Sequence, residues 1–152
     1  MNKLKPNFYM NRFLLAVSAG LLLTSGTFAS DIKVEAVLVW GTNGEKPKDG
    51  NLKVADKVTT EKLAKVFKWK NYYEVSRKSA SIPSRSSSKL GVSKDCEVEI
   101  TELEGAKVAY RLIGKGNPVN KTVVALTKGE SFVIAGEDKN ETAWFIVITE
   151  TE

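Results

Sequence analysis

The sequence predicts a small α+β domain: one short helix packed on a mainly antiparallel β-sheet that curls toward a sandwich or half-barrel. Three observations lead there. Beyond Tyr72, apolar residues alternate with polar ones in short segments, the period of a half-buried strand. Turn-forming residues punctuate those segments at the close spacing of a meander. A single stretch near residue 60 shows helical spacing instead.

Taken in order, Ile32–Trp40 begins with alternation and ends fully apolar. A strand entering from an edge and then running beneath a covering element has this pattern. Gly41-Thr42-Asn43-Gly44 ends it, and Glu45–Gly50, with Pro47, reads as an exposed loop. The helix is placed at Thr60–Lys68, with Thr59 as N-cap and Glu61 in the first turn, where a negative charge suits the helix dipole. Val58 and Leu63 then form a hydrophobic staple. Leu63, Val66 and Phe67 make the buried stripe, with Lys62, Lys65 and Lys68 projecting away.

Tyr72–Val75 opens a strand, and Ser76–Ser88, with seven serines and Pro83, reads as an edge hairpin. Strands are expected at Cys96–Glu102, Lys107–Ile113, Thr122–Leu126, Ser131–Ala135 and Ala143–Thr149. Glu104-Gly105, Gly114–Pro118, Lys128-Gly129 and Gly136–Asn140 supply the turns between them. The last strand is apolar on both faces and is expected to lie centrally, covered by the helix or by a second sheet layer.

Residues 1–29 read as a signal peptide. Lys3, Lys5 and Arg12 precede an apolar run from Phe13 to Leu23, and Thr27-Phe28-Ala29 offers small residues for cleavage after Ala29. Residues 30–152 then form a single domain with a periplasmic or secreted destination. Cys96 is the only cysteine, so no intrachain disulfide forms, and its alternation with Val98 and Ile100 places it on a core-facing strand face.

Charge is distributed unevenly. The chain carries +5, but residues 57–94 alone carry +8 and residues 95–152 carry −5. Such asymmetry suggests an interaction surface. Histidine is absent, which removes the ordinary serine and cysteine triads, and with one cysteine it removes the common zinc sites. Ser86-Ser87-Ser88-Lys89 has the bare Ser-x-x-Lys spacing without its helix or companion motifs. Glu97 and Glu99 alternate with apolar residues and decorate a solvent face. Glu137, Asp138 and Asn140 read as an acidic turn before they read as a calcium loop. No catalytic residue, metal ligand or cofactor is therefore expected.

The positive candidate is the basic-aromatic run Phe67–Tyr73. Lysines interleaved with rings suit stacking on sugars or bases beside an anionic backbone. The competing reading makes the rings core filler with lysines snorkelling over them. The candidate binding surface is Lys65, Lys68, Trp69, Lys70 and Arg77. Its expected partner is an anionic polymer, a membrane surface or an acidic protein surface, with affinity that falls as salt rises. The leading expectation is a non-enzymatic binding or assembly module. The alternatives are a carboxylate-based hydrolase of envelope polysaccharide and a structural subunit pairing through a sheet edge.

The apolar first strand, the run Leu63-Ala64-Lys65-Val66-Phe67-Lys68-Trp69-Lys70-Asn71-Tyr72-Tyr73, and the closing segments Gly129–Gly136 and Trp144–Ile148 resemble uncharacterised small exported β-rich domains of Gram-negative bacteria. That resemblance implies an envelope location and brings no activity or residue set with it.

Overall fold

The computed structural model describes residues 31–48, 51–138 and 141–152. The proposed leader and its cleavage site lie outside the described residues, as do Asp49, Gly50, Lys139 and Asn140. Two antiparallel sheets and one helix stack in three layers. The first sheet contains β1 (Ile32–Thr42), β2 (Lys53–Val54), β3 (Asn71–Ile82), β8 (Ser131–Asp138) and β9 (Thr142–Glu150), in the order β2-β3-β1-β9-β8. The second contains β4 (Ser87–Ser93), β5 (Cys96–Leu103), β6 (Lys107–Gly114) and β7 (Asn117–Ala125), in sequential order. The sheets are not closed into a barrel. Only the second is a meander, because in the first the terminal strands β1 and β9 lie side by side at the centre.

That central pair explains the apolar runs in the sequence. Val34 and Ala36 of β1, with Ile146 and Ile148 of β9, face the second sheet and pack with Leu90, Val92, Val98, Ile100, Val108 and Leu112. Val37, Val39, Phe145 and Val147 face the other way and pack beneath α1 (Lys57–Ala64) around Leu63. A strand buried on both faces cannot alternate, so the helix and the second sheet each cover one side of β9.

The helix begins three residues earlier than the sequence suggests. Asp56 is its N-cap, accepting a 2.8 Å hydrogen bond from the Thr59 amide, and the helix ends at Ala64. Asp56 and Thr59 are both good caps by type. Asp56 prevails because it also reaches Arg77 on β3. The expected staple and stripe change accordingly: Val58 is 62% exposed and Val66 73% exposed, while Leu63 is fully buried.

The serine-rich segment is not a hairpin within one sheet. Its first half completes β3, paired with β1, and the chain turns at Pro83–Ser86 to enter β4 of the second sheet. Small side chains suit this crossing, because the Ser76 hydroxyl donates to the Val92 carbonyl and the Ser88 hydroxyl to the Ser81 carbonyl. β7 begins five residues before the expected strand. Gly114 pairs with Asn117 across the two-residue turn Lys115-Gly116, both at positive φ, a tight hairpin connection. Pro118 is tolerated because β7 is an edge.

Gly41 sits where the helix-side core is tightest. A Cβ there would lie 2.8 Å from the Phe145 ring and 3.1 Å from the Trp69 indole. Gly41→Val is expected to destabilise the fold by about 1–3 kcal/mol, the usual cost of overpacking. A lower urea midpoint with an unchanged denaturant slope checks this.

Candidate functional site

The sequence-selected residues separate into three situations. Lys65, Lys68 and Lys70 are exposed, carried on and just beyond the end of α1. Trp69 is half-buried, lying over Gly41 as part of the helix-side core. Phe67 does the same, its ring 4.6 Å from Phe145, and its carbonyl accepts from the Tyr72 hydroxyl. The rings of this run are therefore mostly filler between helix and sheet, and the lysines stay at the surface.

Arg77 is already engaged. Its guanidinium contacts Glu35 on β1 at 2.5 Å, Asp56 at the helix start at 2.7 Å and Glu74 on β3 at 2.8 Å. The hydrogen bonds it donates to Glu74 and Asp56 hold its pKa well above the ordinary arginine value, against some desolvation. Three carboxylates on one fork leave it no free positive field, so it positions the helix on the sheet instead of presenting charge. Arg85 is similarly paired with Glu104. The +8 segment is thus partly neutralised by acids from elsewhere in the chain.

Two carboxylates of β5 are also engaged within the chain. Glu102 accepts from the Arg85 amide at 2.6 Å, and Glu99 lies 3.4 Å from Arg111 across β5 and β6. Among the described residues no group of three or more His, Cys, Asp or Glu could hold a metal ion.

A concave feature that sequence reasoning missed lies where the two sheets splay apart, at the Trp40 end of β1. It has two lobes, of about 480 and 350 Å³, that share Leu38 and Trp144 as walls. The larger lobe runs between the sheets over Cys96, Leu112 and Val119, with Asp95 and Lys115 at its rim. The smaller is bounded by Trp40, Val75, Pro47 and Leu52. Trp40 and Trp144 are directly opposed on β1 and β9, and Tyr73 follows in register on β3, its ring 6.1 Å from Trp40. Three aromatic residues therefore stand in one row across three strands. Trp144 leans over Gly136 of β8, where any Cβ would collide with the indole.

Cys96 borders this cleft half-buried instead of sitting in the core proper. Burial, aided by Glu97, pushes its thiol pKa up, which keeps it an unreactive apolar wall. The loop that supplies Pro47 is tied down by Asn43, which accepts from the Lys70 amide, and by Asn71, which donates to the Gly44 carbonyl. Lys46, Lys48 and Lys70 are consequently borne on the same corner as the smaller lobe. Leu38 and Trp40, two apart on β1, share a strand face, but within the apolar run that ends this strand such spacing reads equally as core.

No protein-family profile, curated protein or solved structure matches the chain.

Two outcomes are expected from these contacts. Asp56→Ala should cost about 1 kcal/mol through loss of the cap, read as a lower melting temperature. The Asp56 carboxyl is held below its ordinary value, chiefly by the Thr59 amide and further by Arg77. Its stabilising contribution is present above the unfolded carboxylate pKa and is lost as pH falls through the lower folded value. The difference between wild type and Asp56→Ala should therefore shrink on acidification below about pH 4, which a melting series in pH checks.

Proposed function

We propose that the chain is an exported, non-enzymatic binding module that seats the apolar part of an anionic amphiphile in the two-lobed cleft. Lysines at its margin meet the charge. The carrying observation is the cleft itself: an apolar, aromatic-walled concavity of ligand size. Lys46, Lys48, Lys70 and Lys115 supply exposed cations at that end. The reading narrows the expected anionic partner to one with an apolar moiety, such as a single-chain lipid or an acylated polymer, and transfers Trp69 and Arg77 from contact to support.

Sheet-edge pairing has one supporting observation: β7 is an open edge with Val119 and Val123 exposed. Pro118 and Lys121 on the same strand are features that discourage such pairing.

Dodecanoate is a suitable probe. Binding should change the tryptophan emission, weaken at least tenfold in Trp144→Ala, and weaken with added salt in wild type. The salt dependence should be flatter in the Lys70→Gln/Lys115→Gln double variant. Absence of binding at millimolar dodecanoate, or equal affinity in Trp144→Ala, would sink the reading.

A further inference from the structure

At the opposite end of the sandwich a second, chemically different cavity opens between the sheets, of about 290 Å³. Glu150, near the end of β9, lines it and is only 9% exposed. Its carboxylate accepts no hydrogen bond and lies in no ion pair among the described residues, and its oxygens reach solvent through the cavity. The carboxylate therefore opens onto the cavity, where an incoming group can meet it. Burial and the nearby Glu130 raise its pKa, partly opposed by Lys128.

The rest of the lining suggests what the missing partner is. Glu102 also borders the cavity, held by the Arg85 amide and the Ser84 hydroxyl. Lys107 and Lys128 stand on the walls, exposed and without ion pairs among the described residues, so positive and negative charges are matched two to two. Ile32, Val108 and Leu126 provide apolar surface. A lone cation would satisfy Glu150 but be repelled by the lysines. A lone anion would meet the reverse problem.

We propose that this cavity recognises a small zwitterion of the amino-acid type with an apolar side chain. The ammonium is held by Glu150, the carboxylate by Lys128 and Lys107, and the side chain by Ile32, Val108 and Leu126. The site is separate from the aromatic cleft and does not depend on it. Hydrogen-bonded Glu102 and the two lysines suit charge recognition better than the acid-base pair a glycoside hydrolase would need, in which each carboxyl must face the reacting bond.

The test is amide chemical-shift mapping of the full chain with leucine, leucinamide and 4-methylpentanoate at millimolar concentration. Leucine should shift amides around Ile32, Val108, Lys128 and Glu150. Leucinamide should bind about tenfold more weakly and 4-methylpentanoate should not bind. Glu150→Gln, an isosteric change, should abolish the leucine response. Lys128→Gln, at an exposed position that leaves folding intact, should weaken leucine severalfold while leaving leucinamide unchanged. No response to leucine, a response elsewhere, equal binding of all three probes, or an unaltered leucine affinity in both variants would overturn the proposal. None of these results bears on dodecanoate binding at the other end.

Discussion

Burial of the β1–β9 pair on both faces is the constraint from which the rest of this structure follows. Along Ala36–Val39 and Phe145–Ile148 apolar residues face both ways, so the five-stranded sheet needs a cover above and below. The second sheet covers one face over most of its length. The other face requires α1 and the aromatic segment after it, since an eight-residue helix is too short to be stable without such a seat. Gly41 marks how closely that cover approaches: Trp69 and Phe145 occupy the space its side chain would take.

The Arg77 cluster is subordinate to the same requirement. A short helix gains little from its own backbone bonds, so its position depends on anchors at its ends. Asp56 serves twice, capping the first turn and bonding Arg77, while Glu35 and Glu74 bind that guanidinium to two neighbouring strands. Surface ion pairs contribute modestly one at a time. Here a single fork joins the helix start to β1 and β3, and its value lies in orientation more than in strength. This is why a residue that looks like part of a basic binding face turns out to be committed to surface contacts within the chain.

The two cavities arise from a mismatch between the sheets. The second sheet does not extend over the whole of the first, and the ends of the sandwich are left open. At one end the open wall carries Trp40 and Trp144; at the other it is polar, with Glu150 and Glu102. Opposite ends of one sandwich thus offer an apolar and a charged concavity on a common rigid support, which makes simultaneous occupation by unlike ligands sterically straightforward.

The sequence by itself determined the secondary structure type of nearly every segment, because period-two alternation and turn residues are local properties. It showed that Ala143–Thr149 must be covered, that Cys96 lies on an inward strand face and that the helix precedes the meander. It placed the cap at Thr59, where the structure has Asp56, because nothing local shows that Asp56 also meets Arg77, 21 residues away. Nor could it show that Ser76–Ser88 changes sheets, because a strand reads alike whichever sheet it joins. The fates of Trp40, Trp69 and Trp144 were equally hidden. Each is a large apolar ring at an inward position, and only the extent of the opposing layer decides whether such a ring is core or the wall of a cleft. Charge behaved the same way: a sum along the chain ignores the acids that folding brings to Arg77 and Arg85, and pairing through space is a property of the tertiary structure alone.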